Sequence, residues 1–262
     1  MKDLVNKVLD ICGVAGSRIL EIYDTEFEVE TKDDQSPLTQ ADLASHRVIV
    51  DGLRELTPGT PILSEESREI PWAERSQWTE YWLVDPLDGT KEFVKRNGEF
   101  TVNVALIRDG WPVLGVVLAP VLGDAYFAAE GLGAFRRSGD EDPEMIRCRF
   151  PAHSPVTVAG SRSHAGERLQ GFLSRIGTHE LVSMGSSLKF CLVADGRADL
   201  YVRLGPTSEW DTAAAQAVVE QAGGRVTNTA MQRLRYNAKE SLLNPEFLVF
   251  GDSERNWAQY LP

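Results

Sequence analysis

The chain has 262 residues, 42% of them apolar and 25% charged, enough for one large domain or two small ones with a sizeable core. Its formal net charge of −12 excludes DNA and RNA polymers as general partners. Bound cations would reverse the local field and admit a small anionic substrate.

Residues 3–23 carry Leu4, Val8, Ile11, Ala15, Ile19 and Ile22 at steps of three and four, which predicts an amphipathic helix. Residues 26–38 are polar and read as a loop or strand pair. Thr39-Gln40-Ala41-Asp42 opens a second helix, to about Leu56. Pro61–Ser64 predicts a short strand ending at Glu65-Glu66, 67–80 a polar surface segment, and 81–84 another strand. Asp85-Pro86-Leu87-Asp88-Gly89-Thr90 then reads as a turn, with a short helix near 91–95. Phe100–Arg108 and Trp111–Leu118 flank Asp109-Gly110, a hairpin signal. Asp124–Ala129 and Gly133–Arg137 extend the antiparallel sheet. The charged segment 138–154 is the best boundary, giving an N-terminal α+β half, 1–150, and a C-terminal α/β half, 151–262. In the second half, strands are expected at 156–159, 181–182, 199–202 and 247–250. Helices are expected at 165–176, 188–194 and 211–222, the last closed by Gly223-Gly224.

Cys12, Cys148 and Cys191 are widely spaced, with no CxxC, which suggests a reducing, cytoplasmic setting without a disulfide framework. The N-terminal Met1-Lys2-Asp3 does not read as a signal peptide. No run of about 18 apolar residues predicts a membrane-spanning helix. Peripheral association with the inner face of the cell membrane is compatible with the sequence.

The most informative stretch is Asp85–Thr90. Asp85 and Asp88 can bind divalent cations, Pro86 fixes φ and Gly89 lets a phosphate approach the backbone. Thr90 can start a helix whose free N–H groups face that phosphate. Hard oxygens gathered at a strand end beside a helix start suggest a metal-dependent phosphate site. Glu65, Asp42 and Asp211 add carboxylates at the ends of other elements. Each has a plainer reading taken alone. Asp42 follows Thr39 at capping-box spacing, Asp211 suits an N-cap, and Glu65-Glu66 suits a solvated pair.

Glu65-Glu66, Asp85–Thr90 and Trp210-Asp211 together resemble the three metal motifs of the inositol monophosphatase superfamily, magnesium-dependent and lithium-sensitive phosphatases. The resemblance spans nearly the whole chain. Lys32-Asp33-Asp34-Gln35-Ser36-Pro37-Leu38-Thr39-Gln40-Ala41-Asp42, Lys91-Glu92-Phe93 and Gly185-Ser186-Ser187-Leu188-Lys189-Phe190 are similar to its 3′(2′),5′-bisphosphate nucleotidase branch. So are Gly205–Asp211 and Leu242-Leu243-Asn244-Pro245. Inositol monophosphatases usually have threonine-asparagine where Lys91-Glu92 stand and lack a lysine at position 189.

The resemblance implies an αβαβα sandwich of the inositol monophosphatase / fructose-1,6-bisphosphatase type, with the site between the halves. It implies two or three Mg²⁺ held by Glu65, Asp85, Asp88, Asp211 and the Leu87 carbonyl. Asp42, Thr90 and Glu65 are the implied catalytic residues, with Thr90 hydrogen-bonded to Asp42 to orient the attacking water. Gly89 and Thr90 N–H groups would bind the scissile phosphate. Ser186, Lys189 and Arg203 would meet a second phosphate, with His164 near the nucleotide and Asp211 on the substrate face. The implied reaction releases the 3′-phosphate of adenosine 3′,5′-bisphosphate, a by-product of sulfate activation. The 5′-phosphosulfate relative is a further candidate substrate. Two rivals stand beside this one. One is an inositol or broad sugar phosphatase, and the other is a silent nucleotide sensor.

Overall fold

A computed structural model describes residues 1–25, 37–160 and 167–261. Helices α1 (Lys2–Tyr23) and α2 (Pro37–Leu56) lead the chain. α1 buries Val5, Val8, Cys12, Ala15 and Ile19 along one stripe, as its spacing predicts. α2 begins at Pro37, so Asp42 lies inside the helix and the capping-box reading with Thr39 is not realised.

Among the described residues, seven strands form one sheet in sequence order. They are β1 (Ile62–Ser64), β2 (Glu80–Asp88), β3 (Thr101–Arg108), β4 (Trp111–Ala119), β5 (Asp124–Ala129), β6 (Gly133–Ser138) and β7 (Glu144–Ile146). β1 and β2 are parallel; the later neighbours are antiparallel. Asp109 and Gly110 join β3 to β4 with φ of 53° and 82°. A two-residue turn that matches the strand twist needs such a positive pair. The short helices α3 (Trp72–Arg75) and α4 (Thr90–Val94) lie in the connections flanking β2.

The second sheet holds β8 (Val156–Gly160), β9 (His179–Ser183), β10 (Leu200–Arg203), β11 (Arg225–Asn228) and β12 (Phe247–Phe250). Its order is β11-β12-β10-β8-β9 among the described residues. β8 runs parallel to β9 and β10, and β12 antiparallel to both its neighbours. Helices α5 (Glu167–Ile176), α6 (Leu188–Ala194) and α7 (Ala213–Gln221) accompany it.

Three apolar clusters stack these elements into five layers. The first joins α1 and α2 to the outer face of the seven-stranded sheet, through residues such as Val8, Ile49, Trp82 and Val104. The second fills the space between the sheets around α6 and α7, from Leu83 and Val117 to Val218 and Val249. The third packs α5 and the C-terminal 3₁₀ turn (Trp257–Tyr260) on the far face of the second sheet. Helix, sheet, helices, sheet, helix is the expected αβαβα order. α7 lies very close to β4. A Cβ added at Gly115 would sit 2.1 Å from the Ala214 carbonyl oxygen. Ala213, Ala214, Ala215 and Ala217 give that helix its small face.

Three details differ from the sequence expectation. The 85–88 segment is not a turn but the end of β2. The charged segment after 138 contains β7, which closes the first sheet. β11, α3 and the 3₁₀ turn were not anticipated; each is short, and β11 carries only two buried central residues, Val226 and Thr227.

Candidate active site

The parallel pairing of β1 and β2 aligns Ser64 with Val84, and the Glu65 N–H donates to the Val84 carbonyl at 3.1 Å. Glu65 and Asp85 therefore leave adjacent strands at one level. β2 then bulges. Asp85 faces Asn103 and Asp88 faces Thr101, so Pro86 and Leu87 stand opposite Val102 alone. One extra residue bends the strand and re-aims its side chains. Pro86 has no N–H to lose from the ladder at such a position. The Leu87 N–H donates to Asp85 Oδ1 at 3.1 Å. From α2, Ser45 Oγ donates to the Pro86 carbonyl at 2.8 Å. Asp42 lies one turn before Ser45 on that helix and is buried.

Gly89 follows with φ of 99°. A Cβ there would be strained and would meet Phe100 at 3.2 Å. Thr90 is the first residue of α4, and α2 packs on that helix. Asp88 is fixed from the other half of the chain. Its Oδ2 accepts from the Ser187 N–H at 2.8 Å and lies within hydrogen-bond reach of Ser187 Oγ, at 3.0 Å, and of Ser186 Oγ. All three groups meet the same carboxylate oxygen.

Asp211 is not the N-cap of α7; Thr212 is. Asp211 Oδ2 instead accepts the Ser208 N–H at 2.9 Å, closing a tight turn. Asn244 braces that turn, donating from Nδ2 to the Ser208 carbonyl at 2.7 Å and to Thr212 Oγ1 at 2.9 Å.

Charge binds these acids into one site. Burial pushes the Asp85 carboxyl well above the usual range, and Asp88, Glu65, Asp211 and Asp42 push the same way. Burial, then Asp88, raises Asp211 as well. Such acids hold protons unless cations offset their charge. The set offers hard oxygens, which suit Mg²⁺, so the residues fit the expected ion. Among the described residues no three His, Cys, Asp or Glu side chains close on one point. Glu65 is exposed, and Asp88 has one oxygen turned to Ser186 and Ser187.

A cavity of about 240 Å³ opens beside the acids. It brings together Asp88, Gly89, Thr90, Ser186, Lys189, Arg203 and Asp211, with Phe190, Tyr201 and Phe247 at its base. Lys189 is buried, and its Nζ donates to the Ser186 carbonyl at 2.6 Å and the Met184 carbonyl at 3.3 Å. Burial pulls its pKa down to about 8. An ammonium has three protons; the two carbonyls take two, and the Tyr201 ring lies 5.5 Å from Nζ. Arg203 is half-buried and donates to the Pro206 carbonyl at 2.8 Å. His164 and the 32–36 part of the first motif lie outside the described residues.

Sequence reading missed Thr101, Asn103 and Ser45, and gave Ser187 and Asn244 only as members of motifs, without a role. For Thr101 and Asn103 a signal existed: they alternate with Val102 and Val104 on the strand paired with the acids.

This layered fold, with acids at a bulged strand end beside a cavity, points to a phosphatase. A model of the inositol monophosphatase family matches residues 2–257, and the chain belongs to that family. The 3′(2′),5′-bisphosphate nucleotidase CysQ of Salmonella typhimurium is 50% identical over 248 residues, covering 94% of this chain and 99% of that one. The CysQ of Haemophilus influenzae is 38% identical over 255 residues, covering 97% and 95%. The crystal structure of CysQ from Bacteroides thetaiotaomicron superposes with a TM-score of 0.87 at 43% identity, over 96% of this chain and 97% of that one. An inositol monophosphatase from Zymomonas mobilis, 24% identical, shares the fold with a TM-score of 0.80 over 99% and 97%.

Proposed function

We infer that the chain is a 3′(2′),5′-bisphosphate nucleotidase, hydrolysing the 3′-phosphate of adenosine 3′,5′-bisphosphate to AMP and phosphate. What carries the reading is its 50% identity to a nucleotidase of that name over 94% of its length. A cavity with acids at one end and Lys189 and Arg203 beside them supports it, since the substrate has one phosphate to cleave and one to hold. Removal of a by-product of sulfate activation in the cytoplasm is the corresponding role, and the 5′-phosphosulfate analogue is a second substrate to test.

In this reading Glu65, Asp85, Asp88, Asp211 and the Leu87 carbonyl hold two or three Mg²⁺. When bound, the ions make water acidic enough to attack at neutral pH and offset charge on the leaving oxygen. Thr90, supported by Asp42, orients the water, with Glu65 beside it. The Gly89 and Thr90 N–H groups hold the scissile phosphate. The water attacks phosphorus, the ester bond breaks and the ribose 3′-oxygen takes a proton. Positioning and charge neutralisation supply most of the acceleration in such transfers. Ser186, Lys189 and Arg203 meet the non-reacting 5′-phosphate, and His164 contributes near the nucleotide. Lithium, close to Mg²⁺ in size with half its charge, competes for an exchangeable ion site.

Phosphate release across adenosine 3′,5′-bisphosphate, 3′-AMP and inositol 1-phosphate, with and without Mg²⁺ and with added Li⁺, tests this. The bisphosphate should be preferred, Mg²⁺ required and Li⁺ inhibitory. Preference for inositol phosphate would overturn the substrate, and full activity after exhaustive chelation would overturn the metal.

A further inference from the structure

The acids of the two halves meet through one hydroxyl. Ser187 Oγ lies 3.0 Å from Asp88 Oδ2 and 2.7 Å from the Asp211 carbonyl oxygen. It also accepts from Asn103 Nδ2 at 3.0 Å. Asn103 Oδ1 in turn accepts from Thr101 Oγ1 at 3.0 Å, and Thr101 Oγ1 contacts Ser186 Oγ. Thr101, Asn103 and Ser187 are at most 2% exposed, so water does not compete for these bonds.

Hydroxyl protons are scarce here. Five oxygen–oxygen contacts need one: Thr101 with Asn103, Thr101 with Ser186, Ser186 with Asp88, Ser187 with Asp88, and Ser187 with the Asp211 carbonyl. Three hydroxyls supply three protons. Ser187 can donate to Asp88 or to the Asp211 turn, not to both at once. The Asn103 amide fixes a lone pair of Ser187, which confines its proton to these two acceptors. The Ser187 N–H holds Asp88 in either state. The hydroxyl therefore joins the carboxylate on the β2 bulge to the backbone of the turn before α7.

We propose that Ser187, oriented by Asn103, is a positioning residue that couples Asp88 to the Asp211 turn, so that the two acids present their free oxygens to cations together. This rests on the reading of Asp88 and Asp211 as cation ligands. Groups that orient ligands typically change metal affinity or activity by about 10- to 100-fold when lost.

The test is Mg²⁺ binding by calorimetry without substrate, beside melting temperature without metal, for the parent, Ser187→Ala and Ser187→Thr. Measurable Mg²⁺ binding by the parent is the control; its absence would refute the ligand reading itself. Ser187→Ala should bind Mg²⁺ about tenfold more weakly while its metal-free melting temperature stays within a few degrees of the parent's. Ser187→Thr, which keeps the hydroxyl, should recover most of the affinity. Asn103→Ala should fall between the parent and Ser187→Ala. The proposal is overturned if Ser187→Ala binds Mg²⁺ like the parent, or if both Ser187 variants lose affinity alike. It is equally overturned if neither folds, since the residue would then serve packing.

Discussion

Asp85 and Asp88 are held by a sheet, and Asp211 by a turn. The first two sit on β2, paired to β3 on both sides of the bulge, and α2 fastens the bulge through Ser45. The turn carrying Asp211 has one isolated bridge, Ser208 opposite Leu243, with the Glu209 N–H on the Leu242 carbonyl and the Asn244 N–H on the Thr207 carbonyl, both at 2.8 Å. Its other ties are its own Ser208 N–H, the Asn244 side chain and Ser187. Strand ladders give backbone precision cheaply, because each residue is fixed by its neighbours. A turn with a single bridge leans on side chains for the rest of its precision. Function-bearing segments on loops over a rigid frame are common. Here one cation site is expected to be half frame and half loop.

Substitution on the frame side should have the largest effect. Asp88→Asn keeps shape but removes a ligand charge and unbalances the three groups that meet Oδ2. Turnover should fall by at least about a thousandfold, the scale of a lost positioned electrostatic group, with the fold intact by circular dichroism. Activity within tenfold of the parent would remove Asp88 from the machinery.

Lys189→Ala comes next, on α6. A lost charged contact to a bound anion is worth about 1.5–3 kcal/mol, or about ten- to a hundredfold. KM for adenosine 3′,5′-bisphosphate should rise by that factor, because a non-reacting phosphate binds alike in ground and transition states. KM for 3′-AMP should change less. Equal losses for both substrates would mean that Lys189 acts only through the Met184 and Ser186 carbonyls it holds.

Asn244→Ala probes the turn alone. It removes the donor to the part-buried Ser208 carbonyl and to Thr212 Oγ1, at the net worth of about 0.5–1.5 kcal/mol per hydrogen bond. The apparent Mg²⁺ requirement should rise by roughly tenfold, less than the loss on the frame side. A Mg²⁺ titration of turnover identical to the parent's would show that the turn holds itself.

The turn's carboxyl also carries a pH signature. Asp211 is pushed up to about 8, so the metal-free folded state keeps a proton that the unfolded chain has released. Stability without metal should therefore fall as pH rises from about 4 to about 8. Mg²⁺ needs the deprotonated acids, so the rise in melting temperature on adding Mg²⁺ should grow over the same window. Melting curves with and without Mg²⁺ at several pH values check this; a shift independent of pH would contradict it.

Much of this was legible in the sequence because the signals were local. The steps of three and four in α1, the Asp109-Gly110 turn and the Leu188–Ala194 helix all follow from neighbouring residues. The site acids were legible through resemblance, which brings distant motifs together without a structure. What was lost depends on pairing. Asp-Pro-Leu-Asp reads as a turn because proline breaks ladders, and only the register with β3 reveals a bulged strand. Thr101 and Asn103 drew no attention within the Phe100–Arg108 strand, because only pairing shows that both faces of β3 are buried. Glu144–Ile146 is too short and too charged to announce a strand until β6 offers an edge.

The absence of a side chain at Gly115 has a reach beyond its own neighbourhood. α7 rests almost directly on β4 there, and the Asp211 turn leads straight into that helix. The height of Asp211 above the seven-stranded sheet is thus gauged by bare backbone contact, with nothing compressible between. A methyl at this position would act as a shim under the helix, lifting one wall of the cation site relative to the other. Under the proposed function, a change at Gly115 would present as an ion-binding defect although no acid had been replaced.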